Sequence, residues 1–136
     1  MDVVVDSSVV LRVCLAGGAP GTLAGHRLHA PAHLPAEVTS ALRELSWRGE
    51  IPGDRGRDAL GYLAALPIAY AAPGSLAADA WSTAEDLGWA KTYDAEFVAL
   101  AARLNCPLVT LDARLQRGAG HRVVIHSPAE LAPPDA

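Results

Sequence analysis

Aromatic residues are scarce, at 5% of the 136 residues, with one Phe and one Met. With so few rings in the chain, Trp47, Trp81 and Trp89 read first as anchors of helix packing or of a contact between copies. They read only second as stacking platforms for bases. Cysteine is nearly absent too. Cys14 and Cys106 stand in no metal-binding spacing, which leaves them as small buried apolar side chains and not as a disulfide. Charged residues make up only 19%, and 15 acidic against 11 basic side chains give a net charge of −4. That balance excludes a polybasic coat for non-specific nucleic-acid binding, while a few arginines around an acidic pocket could still contact phosphates. No apolar run reaches the roughly 18 to 20 residues of a membrane helix, and Met1 to Asp6 lacks the basic region of a signal peptide. The expectation is a soluble, cytoplasmic protein with no membrane partner.

Just over half of the residues, 51%, are hydrophobic, enough for one well-formed core at this length. A single domain is therefore expected over 1–131, followed by a frayed tail at 132–136 marked by Pro133 and Pro134. The run Val3-Val4-Val5 reads as a strand ending at Asp6. Val9, Val10, Val13 and Cys14 then recur at helical spacing behind Ser7 and Ser8. After a glycine-rich connection from Gly17 to Gly25, Arg27 to Ala30 reads as a second strand. Pro35 then opens a helix carrying Val38, Ala41, Leu42 and Leu45 that stops near Gly49. Further expectations are a helix over Asp54 to Leu66, a short strand from Pro67 to Ala71, and a helix from Ser75 to Leu87. A helix opened by Asp94 should stop at Asn105. Pro107 to Leu111 reads as a buried strand ending at Asp112, and Arg122 to Ile125 as a last strand after a Gly118-Ala119-Gly120 turn.

Strands alternating with helices imply an α/β/α domain in three layers around a mostly parallel sheet of four to five strands. In that class every helix that follows a strand starts at the carboxyl edge of the sheet, where ligands bind. Asp6 ends the first strand, Glu37 lies in the first turn of the helix after the second, Asp94 opens the helix leading into the Leu108 strand, and Asp112 ends that strand. All four acids are thus expected on one rim. Singly, Asp6, Asp94 and Asp112 could be helix caps and Glu37 a partner of a helix dipole. Together, two carboxylates about 6 Å apart already repel by roughly 3 kcal/mol at an effective dielectric near 20, so four in one place call for raised pKa values or a counter-cation. An all-oxygen donor set, with His26, His29, His33, His121 and His126 in no two-ligand spacing, favours Mg²⁺ or Mn²⁺ over zinc. Hydrolysis of a phosphodiester by metal-bound water is the chemistry that suits such a set.

The same residues carry a family resemblance. Val3-Val4-Val5-Asp6-Ser7-Ser8, Leu34-Pro35-Ala36-Glu37-Val38, Thr92-Tyr93-Asp94-Ala95 and Leu108-Val109-Thr110-Leu111-Asp112-Ala113-Arg114-Leu115 resemble, in order and spacing, the four motifs of PIN-domain nucleases, closest to the small VapC-type toxins of bacterial toxin–antitoxin pairs. The resemblance implies a Mg²⁺-dependent endoribonuclease whose catalytic and metal-holding acids fall on Asp6, Glu37, Asp94 and Asp112. It implies Ser8 as a helper orienting water and Thr110 as a hydrogen-bonding group near the site, while Arg114 is a candidate phosphate contact by its place two residues past Asp112. The resemblance also implies an RNA substrate, a cognate antitoxin and a homodimer.

Arg43, Arg48, Lys91 and Arg117 are further candidate phosphate contacts. A DNA-directed nuclease of related architecture and a non-catalytic α/β binding or regulatory module remain competing readings, since a fold does not fix a function. A phosphoacceptor receiver domain would need adjacent acids after the first strand and a later lysine, and a haloacid-type phosphatase an Asp where Ser8 stands. The sequence offers neither.

Overall fold

In the computed structural model, which describes residues 1–18, 21 and 23–131, Val3, Val4 and Val5 have no exposed surface at all. A strand buried on both faces belongs to the middle of a parallel sheet. Strand β1 (Asp2–Val5) is flanked by β2 (Arg27–Ala30) and β4 (Leu108–Val109), with β3 (Ile68–Tyr70) outside β2 and β5 (Ile125–His126) outside β4. The order is β3-β2-β1-β4-β5 and every pairing is parallel. The chain thus walks one way from β1 to β3, jumps back past β1 to β4, and continues outward to β5. The order reverses between β1 and β4, and in open α/β sheets the crevice beyond the carboxyl ends of such a strand pair is the usual ligand site.

The helices between the strands are α1 (Ser7–Ala16), α2 (Leu34–Trp47), α3 (Gly53–Ala65), α4 (Ala77–Leu87), α5 (Tyr93–Leu104) and α6 (Ala113–Ala119). Helix α1 packs on α2 and α3, while α4 packs on α5, which lies against β1 and β4. The apolar faces close one core in which Phe97, Leu34, Val38, Val98, Leu108 and Val109 are fully enclosed. Helix ends follow local chemistry. Gly17 and Gly88 take left-handed backbone at φ 82° and 72°, and Asn105 does so at φ 50°, the stop expected from sequence.

Several expectations need correction. The segment after Asp112, expected to be a connection with a glycine turn, is helix α6; it is seven residues long, too short for a periodic signal, and it incorporates Gly118 and Ala119. The Leu108 strand pairs for two residues only, since Leu111 has left the sheet and is 38% exposed. The last strand is Ile125–His126, three residues later in its start than Arg122. Helix α5 begins at Tyr93, so Asp94 is its second residue and not its cap. Trp47 and Trp81, expected to anchor helix packing or a contact between copies, are 75% and 65% exposed, so they do not anchor helix packing. Cys14 and Cys106 are free thiols, the first buried. The expected tail at 132–136, and part of the glycine-rich connection, lie outside the described residues. No helix among the described residues is long and apolar enough to cross a membrane.

Candidate active site

Asp6 follows β1 directly, and its backbone N–H donates to the Val109 carbonyl of β4 at 3.2 Å, which places it at the reversal point of the sheet. Its side chain caps α1 by accepting the Val9 N–H at 3.2 Å. Capping does not exhaust it. The same Oδ1 accepts from Ser8 Oγ at 2.7 Å, and Oδ2 accepts from Thr110 Oγ1, the residue just beyond β4. Ser8 Oγ in turn accepts the Leu111 N–H at 3.0 Å, and Thr110 Oγ1 accepts the Asp112 N–H at 2.9 Å. Ser8 and Thr110 therefore fix Asp6 and stitch the ends of the two central strands together. Burial, opposed by these hydrogen bonds and reinforced by the Asp112 charge, pushes the Asp6 carboxyl above its ordinary range.

Glu37 reaches the site from the first turn of α2, where Pro35 sits in the opening positions. Its Oε1 accepts from Ser7 Oγ at 2.8 Å and lies 3.3 Å from His33 Nε2, close enough for an ion pair but not aligned as a hydrogen bond. Burial draws Glu37 upward; the His33 and Ser7 contacts and the His33 charge outweigh it and hold the carboxyl low. His33 also places Nδ1 3.3 Å from Glu96 Oε2, and its ring packs on Tyr93 and edge-on against Phe97 at centroid distances of 5.4 and 5.3 Å. The Glu37 contact first, then the Glu37 and Glu96 charges, raise the His33 pKa in spite of burial.

Asp94 is pushed up, by partial burial first and then by the charges of Glu37 and Asp112. Asp112 caps α6 through the Arg114 N–H at 2.9 Å, and its two oxygens take Arg114 Nε at 3.3 Å and Nη2 at 3.0 Å. That guanidinium holds Asp112 below the carboxylate range. Glu37, Asp94, Asp112 and Arg114 line a common cavity of about 590 Å³ with Trp89, Lys91 and Tyr93.

All four acids expected at the carboxyl edge thus lie there, and the electrostatic influence of Asp112 on Asp6, and of Glu37 and Asp112 on Asp94, registers their proximity. As the side chains stand, however, no group of three or more His, Cys, Asp or Glu among the described residues is arranged to hold a metal ion. Asp112 is turned to Arg114 and Glu37 to Ser7 and His33. The donor chemistry is nevertheless that of a hard divalent cation. Carboxylate oxygens dominate, and the Asp6 and Asp94 carboxyls are raised by burial first and then by neighbouring acid charge, a penalty that a bound cation would relieve.

The structure adds Ser7, His33 and Glu96 to the site. His33 has no two-ligand spacing in the sequence, and its i, i+4 spacing to Glu37 is the signal that could have found it. Of the further basic candidates, Lys91 lines the cavity, whereas Arg43 and Arg48 lie together beside Trp47 on a different surface.

The comparisons agree with this architecture. A family model described as PIN domain matches residues 3–120. Ribonuclease VapC9 of Mycobacterium tuberculosis is 38% identical over 114 residues, covering 83% of this chain and 87% of its own. A solved structure from Pyrobaculum aerophilum superposes with a TM-score of 0.70 at 18% identity, over 92% of this chain and 89% of that one. The structure of VapBC-1 from nontypeable Haemophilus influenzae does so at 0.56 and 14%, over 95% and 99%. The chain belongs to the PIN-domain family, among its VapC-type members.

Proposed function

We propose that the protein is an endoribonuclease, the toxin of a toxin–antitoxin pair, which hydrolyses RNA phosphodiester bonds with the help of Mg²⁺ or Mn²⁺. The observation that carries the reading is the convergence of Asp6, Glu37, Asp94 and Asp112 at the β1/β4 reversal point, two of them with raised carboxyl pKa values. The names of the VapC relatives support a ribonuclease. The four acids would hold the cation, with Asp112 exchanging Arg114 for it. When bound, the cation supplies an activated water and neutralises charge on the phosphate.

The chain's own groups have separate tasks. Ser8 and Thr110 keep both oxygens of Asp6 in one orientation, and Ser7 and His33 do the same for Glu37. Such outer contacts commonly decide whether a ligand set works. Arg114, whose side chain is 81% exposed beside Asp112, and Lys91 across the cavity supply positive charge for the phosphates of RNA.

The names of the VapC relatives and of the VapBC-1 structure support a protein antitoxin as a partner; toxin and antitoxin would then meet in the cytoplasm. Exposed Trp47 and Trp81 support self-association as a homodimer. Labelled RNA and DNA oligonucleotides incubated with the protein and Mg²⁺ test the reading. Cleavage of RNA alone, lost in Asp6→Asn, is the expected result. Cleavage of DNA alone, or undiminished cleavage by the variant, would reject it.

A further inference from the structure

We propose that the cavity beside the acids is a nucleobase subsite, in which a base adjoining the scissile phosphate stacks against Trp89 and Tyr93. The inference rests on the ribonuclease reading and adds a part of the substrate to it. At about 590 Å³ the cavity falls in the range of small-ligand pockets. Its lining divides by chemistry. Asp94, Asp112 and Arg114 form the side where a phosphodiester would be cut, and Trp89, Lys91 and Tyr93 come from the turn between α4 and α5 and the first residue of α5. An aromatic wall with a cation beside it and a second cation near the acids suits a nucleotide, with its flat base and its charged phosphates.

Both rings are braced from behind. Trp89 follows the left-handed turn at Gly88, its N–H donates to the Ala84 carbonyl at 2.8 Å, and its side chain packs on Ala80, Ala84 and Ala95. Gly118 of α6 touches the same indole so closely that a Cβ there would lie 3.1 Å from Cζ2. The Tyr93 ring rests on His33 and is otherwise 57% exposed. Tyr93, held on one side and open on the other, and Trp89, half-buried in the cavity wall, meet a base without first losing their own rotamer freedom. In a chain with 5% aromatics, two rings lining one catalytic rim need an explanation beyond packing. Stacking does not depend on which base is present, so the subsite contributes affinity and register without fixing a sequence.

The test uses wild-type protein cleaving labelled RNA in Mg²⁺, with the four 5′-mononucleotides and ribose 5-phosphate as competing inhibitors. At least one mononucleotide should inhibit about tenfold more strongly than ribose 5-phosphate, a difference of the size expected for one stacked base. It should also quench the fluorescence of Trp89 in a Trp47→Phe, Trp81→Phe background. Tyr93→Leu, which removes the exposed ring while keeping an apolar side chain against His33, should erase most of that advantage. It should raise KM for RNA by a larger factor than it lowers kcat, with a melting temperature near wild type. Equal inhibition by ribose 5-phosphate and every mononucleotide, or none by either, in protein that cleaves RNA would overturn the subsite and leave the ribonuclease reading standing. Protein that cleaves no RNA would overturn both.

Discussion

Ser7 donates its hydroxyl to Glu37 at 2.8 Å across thirty residues of chain, tying the start of α1 to the first turn of α2. The adjacent hydroxyl of Ser8 serves a different acid, Asp6, at 2.7 Å. Two neighbouring serines thus hold two of the four carboxylates. Ser7→Ala should leave Glu37 to His33 alone. Cleavage should fall about tenfold, with a stability loss of about 1 kcal/mol. Kinetics on RNA and chemical denaturation check the two effects, and unchanged kcat with unchanged stability would deny Ser7 its role.

Asp6 has a raised carboxyl pKa, so the folded state holds its proton more tightly than the unfolded chain does. The stabilisation from that proton is complete below the unfolded pKa and is lost as pH rises through the folded one. At neutral pH the ionised Asp6 of metal-free protein therefore works against the fold. Asp6→Asn should melt higher than wild type near neutrality in EDTA, with the gap closing in acid. The same variant should lose at least about 100-fold in RNA cleavage. Thermal scans across pH check the sign.

Asp2 titrates the other way. Arg27, first through its hydrogen bonds at 2.8 and 2.9 Å, and then His29 at 2.9 Å hold its pKa at about 2. Its contribution is present above the unfolded value and lost as pH falls toward 2. Asp2→Asn should accordingly flatten the acid limb of the stability profile while leaving cleavage near neutrality intact, because the pair lies at the start of β1, at the opposite end of the strand from Asp6.

Arg114→Ala should leave stability nearly unchanged, since its ion pair is solvent-exposed. RNA binding should weaken, and the slope of log affinity against log salt should fall by about 0.7 if one phosphate contact is lost. Fluorescence anisotropy at several salt concentrations measures that slope, and an unaltered slope would remove Arg114 from the phosphate path.

Val3-Val4-Val5 and the Val38, Leu42 spacing made the sheet centre and α2 legible, because both patterns are set by burial. The rim position of Asp6 and Asp112 followed from parallel topology alone. Helix α6 was not legible, as seven residues ending in Gly118 and Ala119 give no helical period. Only half of the His33 bridge was legible, since Glu37 is its i, i+4 neighbour at the start of α2 whereas Glu96 meets it only after α2 and α5 pack. The orientation of the acids was equally hidden. Sequence placed Asp112 at the rim, but its engagement by Arg114 depends on how α6 turns after β4.

The most direct test of the account is a calorimetric titration of Mg²⁺ and Mn²⁺ into wild type, Asp94→Ala and Asp6→Asn, with folding of each verified by its thermal transition. The account predicts a binding heat in the wild type that disappears in both variants. A heat of the same size and affinity in the folded variants would contradict it, because the cation would then be held without the acids at the β1/β4 reversal.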